Sequence, residues 1–164
     1  MRIVAGTLVV AALALLGTSR AGADPSSAAW KKFKGQIVVS DRTIPNFDTD
    51  KAMIDGLRKL NKTTLTKKDG EESWSLVFMG FLNKKVNAGT INLVFYKVTG
   101  AKREYMSNKE ITLDADSNIV QADLEVSEED NITAGNKYDV VLGRMVNGKE
   151  TVFAKTKLSF VSEK

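Results

Sequence analysis

Two periods of hydrophobic spacing organise the chain. From Ser73 onward apolar residues recur at every second position in segments split by turn residues, the spacing of β-strands. Trp74–Leu82 and Thr90–Val98 read as strands joined by Asn83–Gly89, and Thr99–Lys102 is a turn. Arg103–Ser107 and Glu110–Leu113 read as two short polar strands at an edge. Asn118–Val126 alternates along its length, with Val120, Ala122, Leu124 and Val126 opposing Ile119, Gln121, Asp123 and Glu125. Tyr138–Val146 and Lys149–Val161 flank Asn147-Gly148, a pair whose tolerance of positive φ suits a type I′ hairpin turn. Nearer the start, Gln36–Ser40 is a first strand and Asp41–Phe47 a loop. The period then changes. Met53, Ile54, Leu57 and Leu60 follow at helical spacing, Asp48 or Thr49 can cap the segment, and Gly56 weakens it, which predicts a helix at about 49–61. Lys62–Glu72 is polar and turn-rich.

Two strands are apolar on both faces. Leu76, Phe78 and Leu82 oppose Val77, Met79 and Phe81, while Ile91, Leu93 and Phe95 oppose Val94, Tyr96 and Val98. A strand with one solvated face should alternate apolar with polar, so something covers the second face. The 49–61 helix packed on that face is the expectation; a partner protein or a second copy is the other option. Trp74 and Tyr96 read as buried core, with a ligand surface as the alternative.

Short strands at regular spacing predict a mainly β fold, an antiparallel β-sandwich of about seven strands with one short N-terminal helix. Ile132-Thr133-Ala134-Gly135-Asn136-Lys137-Tyr138, leading into Val140 and Leu142, resembles the tyrosine corner of immunoglobulin-like domains. In that class the Tyr hydroxyl hydrogen-bonds back to the chain a few residues upstream, a structural role that the resemblance implies for Tyr138. The Cys–Trp–Cys core of antibody domains is absent, so the likeness is to the broad sandwich class. Tyr138 as an ordinary strand aromatic is the alternative.

The N-terminal segment carries a separate message. Arg2 precedes the apolar run Ile3–Leu16, and Ala21-Gly22-Ala23 follows it, the three parts of a secretory signal peptide. The run is shorter than the ~20 residues that a membrane-spanning helix needs. Export after cleavage is the expectation, with a retained anchor as the alternative. The division is therefore 1–23 signal peptide, 24–33 flexible lead-in and 34–164 a single domain. Its location would be periplasmic or secreted, without stable membrane insertion.

Composition narrows the chemistry. The chain has no His and no Cys, so imidazole- and thiol-based catalysis and His- or thiolate-ligated metals are excluded. An exported chain without Cys must rely on packing and hydrogen bonds instead of cross-links. With Arg2 and Arg20 set aside, 22 basic side chains face 20 acidic ones, a balance unlike that of a nucleic-acid binder. The charge is uneven: residues 24–109 carry 16 basic and 9 acidic groups, and 110–164 carry 6 and 11. A basic face for an anionic surface is one reading; interleaving of the two halves in the fold is the favoured one. Lys67, Lys68, Lys84 and Lys85 read as exposed, solubilising lysines, and Glu128-Glu129-Asp130 as a solvated crossing between layers.

One segment resembles a cation site by spacing. Counting from Asp114, the residues Asp114, Asp116, Asn118 and Glu125 fall where an EF-hand calcium loop places ligands, but Ile119 occupies the glycine position. An Asx-rich turn between strands is the favoured reading. No cofactor is expected. The functional expectation is a non-catalytic binding or assembly module at the cell envelope of a bacterium, meeting another envelope protein or itself. A small-molecule or polysaccharide binder is the runner-up, and a carboxylate-dependent enzyme the third option.

Overall fold

The computed structural model describes residues 27–163; the apolar run, the cleavage segment and Asp24–Ser26 lie outside them. Mainly β, these residues form strands β1 (Gln36–Ser40), β2 (Thr64–Lys67), β3 (Ser73–Val86), β4 (Gly89–Thr99), β5 (Lys102–Leu113), β6 (Ser117–Ser127), β7 (Lys137–Val146) and β8 (Lys149–Ser162). Helices α1 (Ala28–Phe33) and α2 (Asp50–Leu60) complete the set. The count exceeds the expected seven strands and one helix. Six residues of α1 replace most of the expected flexible lead-in, and β2 lies inside the stretch read as turns.

All eight strands belong to one hydrogen-bonded sheet, ordered β5-β4-β7-β8-β1-β3-β6, with β2 added beside β8. The sheet curls into a half-barrel. It is not wholly antiparallel: β2 runs parallel to β8, and β1 meets β8 through one parallel bridge, Gln36 opposite Lys155. That single bridge is a seam between two flanks. The first flank is β1-β3-β6, and the second is β5-β4-β7-β8. Ile37, Phe78 and Val120 of the first share one core with Leu93, Leu142 and Phe160 of the second. The closest approach falls at Gly80 on β3, where a Cβ would stand 2.2 Å from Leu142 Cδ1. Phe160 collects Trp74, Phe95 and Tyr138 at centroid distances of 5.3, 6.4 and 5.4 Å. The chain crosses from the first flank to the second at Asn87-Ala88, returns through the turn at Asp114–Asp116, and crosses again after the 3-10 turn Glu128–Asp130. Charges from the two halves of the chain therefore interleave.

Helices cover the apolar centre of the first flank's outer face and leave Ser75, Asp123 and Glu125 exposed beside it. Thr49 caps α2 by accepting a hydrogen bond from the Ala52 amide at 3.2 Å. The helix lays Leu57 and Leu60 on Val38, Val77, Met79, Phe81 and Ile119, with Phe33 of α1 beside them. This is the cover that the two-faced pattern of β3 requires. At its end the Asn61 side chain accepts from Val39 N–H at 3.0 Å, which ties the helix to β1. Gly56 has a packing role there. A Cβ at 56 would lie 2.2 Å from the Phe47 ring, so the loop before α2 can close onto the helix only because the residue is glycine. In α1, Trp30 donates its indole N–H to Leu82 O at 3.1 Å, and Phe33 stacks on Phe81 at 5.1 Å.

Candidate functional site

Among the described residues no helix covers the outer face of the second flank. Asn92, Val94 and Tyr96 of β4 point outward there, between Tyr105 and Asn108 of β5 and Gly143 and Met145 of β7, with Glu150 of β8 beyond. These residues line a concavity of about 260 Å³. Tyr105 is 57% exposed and Met145 62%, high for two large side chains lining one concavity.

Two β-bulges shape this surface. Register shifts between Phe95 and Tyr96, so that Phe95 faces Ser107 while Tyr96 faces Tyr105, leaving Met106 as an extra residue in β5. Without it Tyr105 and Asn108, three positions apart, would point to opposite faces. With it both point outward, and Tyr105 Oη donates to Asn108 Oδ1 at 2.8 Å. The second bulge adds Phe153 to β8, between the pairs Leu142–Ala154 and Gly143–Val152. It sends the Phe153 ring out of alternation and leaves Val152 and Glu150 on the outer side with Met145. Bulges re-aim side chains in this way at functional edges. Gly143 forms part of the floor, where a Cβ would press on the β8 backbone at Thr151 O, 3.0 Å away.

The polar groups are tightly linked. Asn108 Nδ2 donates to Asn92 Oδ1 at 2.8 Å, and Tyr96 Oη donates to Glu150 Oε1 at 2.6 Å. Burial first, and the Glu150 carboxylate second, push the Tyr96 phenol from 10.0 up to about 12. The Tyr96 and Tyr105 rings meet edge to face at 6.2 Å and 73°. The Arg103 guanidinium lies 4.0 Å over the Tyr96 ring and is held by Asp139 at 3.2 Å.

The residues singled out from the sequence fall elsewhere. Asp114 and Asp116 occupy the β5–β6 turn, but Asn118 and Glu125 lie on β6 itself. Seven residues of strand separate those two by roughly 23 Å, so the four do not converge. Asp116 accepts from Ala88 N–H at 3.1 Å and Glu125 from Ser73 Oγ at 2.6 Å. Among the described residues no group of three or more carboxylates is placed to hold a metal ion. Asn147 and Gly148 take φ of 51° and 74° between the paired Val146 and Lys149. Tyr138 Oη accepts from the Thr133 amide at 2.9 Å, five residues upstream. Trp74 is fully buried, with its indole N–H on Val161 O at 2.8 Å. Tyr96, paired with it in the sequence reading, is on the outer face instead. Lys67 is not a solubilising residue: its side chain is 12% exposed, 4.3 Å over the Trp74 ring and 3.6 Å from Glu128.

No protein-family model, curated protein or solved structure matches this chain. No helix among the described residues is long and apolar enough to cross a membrane.

Proposed function

We propose that this chain is an exported, non-catalytic binding module of the bacterial cell envelope, periplasmic or secreted, whose binding surface is the outer face of β5-β4-β7-β8. One observation carries the reading: helices cover the apolar centre of one outer face, while the other leaves a concavity beside exposed Tyr105 and Met145. Export rests on the pattern of residues 1–23, and the non-catalytic role on a sequence without His or Cys. The scaffold itself reads as an immunoglobulin-like sandwich. Its support is the Tyr138–Thr133 hydrogen bond in the place of a tyrosine corner, together with two flanks that share one core.

The test places a photo-crosslinking amino acid at position 105 or at exposed position 58 of α2 in the full chain, expressed in a bacterial host. Recovery outside the cytoplasm with Asp24 at the N-terminus, and envelope adducts from position 105 but not 58, are expected. An uncut chain in the cytosol, or equal adducts from both positions, refutes the reading.

A further inference from the structure

Resting on that reading, we infer that the concavity takes one ring of a neutral saccharide, stacked on Tyr105 and hydrogen-bonded by Asn92 and Glu150. The argument begins with what is left open. Tyr105, Asn108 and Asn92 form a relay in which each hydrogen bond orients the next group. The relay ends at the Asn92 amide nitrogen, a donor with no partner among the described residues. Across the floor, Glu150 uses Oε1 on Tyr96, and its second oxygen is an acceptor with no partner among those residues. A fixed donor and a fixed acceptor therefore face the same concavity beside an exposed aromatic ring. A sugar ring carries the matching groups: hydroxyls that both donate and accept at its rim, and a face of C–H bonds that lies against an aromatic plane.

Charge and size point the same way. The lining contains one carboxylate, Glu150, and one guanidinium, Arg144, whose Nε and Nη2 are already held by Thr90 O at 2.7 Å and Asn87 O at 3.0 Å. The formal charges cancel, which suits an uncharged ligand. The Tyr96 ring face is already covered by Arg103, so no aromatic cage remains for a cationic ligand. About 260 Å³ lies below the range that drug-sized ligands fill and accommodates a single ring. Openness along the strands lets neighbouring sugar units of a polymer extend out over Met145 and Val152. The hydrogen bond to Asn108 and the edge contact with Tyr96 hold Tyr105 in place before binding, which lowers the entropy lost on association.

The test is electrophoresis of the purified chain through native gels cast with soluble neutral polysaccharides: an α-glucan, a β-glucan, a xylan, a mannan and a galactan. A polygalacturonate gel controls for the basic charge of the chain. At least one neutral polymer should retard migration. Tyr105→Ala should abolish the retardation with an unchanged unfolding temperature, Tyr105→Phe should retain it within about threefold, and Glu150→Gln should weaken it about tenfold. Retardation in none of the neutral gels, in the acidic gel alone, or equally for Tyr105→Ala overturns the inference. Protein adducts at position 105 without retardation sink the saccharide assignment and leave the binding face standing; absence of both sinks the two together.

Discussion

The two outer faces of this sheet start from similar strands and end in opposite states. On β3, Val77, Met79 and Phe81 disappear beneath α2 and α1. On β4, Val94 is buried among neighbouring side chains instead of under a helix, Tyr96 is half-buried, and Tyr105 and Met145 stand in solvent. The covered face is built from aliphatic and aromatic contact and depends on a helix fitting closely. The open face is built from hydrogen-bonded polar groups and re-aimed aromatics, so its form comes from β-bulges more than from burial. The same apolar strand pattern thus serves helix packing on one side and, under the proposed function, recognition on the other.

Substitutions can break this contrast. Leu57 of α2 is fully buried against the sheet, and Leu57→Ala should cost about 3 kcal/mol in urea unfolding through lost contact and a residual cavity. A loss below about 1 kcal/mol would mean that the helix does not cover the first flank. Gly56→Ala is next. Helix propensity alone favours alanine by about 1 kcal/mol. The 2.2 Å approach of the Phe47 ring opposes it, and overpacking costs about 1–3 kcal/mol. Net destabilisation is expected, and its sign should reverse in a Phe47→Ala background, measured as a double-mutant cycle.

The open face responds to pH. Tyr96 has a folded pKa of about 12, above its unfolded value of 10.0. The folded state therefore holds that proton longer, and the stability it contributes is complete below pH 10 and is lost as pH rises through about 12. The difference in unfolding free energy between the wild type and Tyr96→Phe should be level below pH 10 and fall across that window; a level difference throughout removes the Glu150–Tyr96 contact from the account. The smallest effect belongs to Tyr105→Ala, which should change stability by no more than about 0.5 kcal/mol because the ring is exposed. A larger loss would make Tyr105 a structural residue and erase the contrast.

Legibility in the sequence followed the range of the forces involved. The α2 stripe of Met53, Ile54, Leu57 and Leu60 was readable because one helix face repeats a single burial environment. Alternation in β6 was readable for the same reason. Short α1 carries no such repeat in six residues; it is held by Trp30 on Leu82 and Phe33 on Phe81, contacts between distant parts of the chain. The polar segment Thr64–Lys67 becomes a strand only because β8 offers it a parallel neighbour. Polar Asn108-Lys109 reads as a break between two strands and gives no sign of the bulge at Met106, so the meeting of Tyr105 with Asn108 and Tyr96 was invisible. The calcium-like spacing failed for the opposite reason. Its count assumes a compact loop, whereas β6 stretches Asn118 away from Glu125.

The seam at Gln36 and Lys155 bears on the order of assembly. β8 is the eighth strand along the chain, yet β1, β2 and β7 all take it as a neighbour. Until residues 149–162 have emerged from the ribosome, the two flanks have no shared strand to join them. Closing such distant contacts costs chain entropy early and rewards it late, which slows folding. The β4-β5 and β3-β6 pairs can form before that point, so the last strand to be made is the one that closes the sheet.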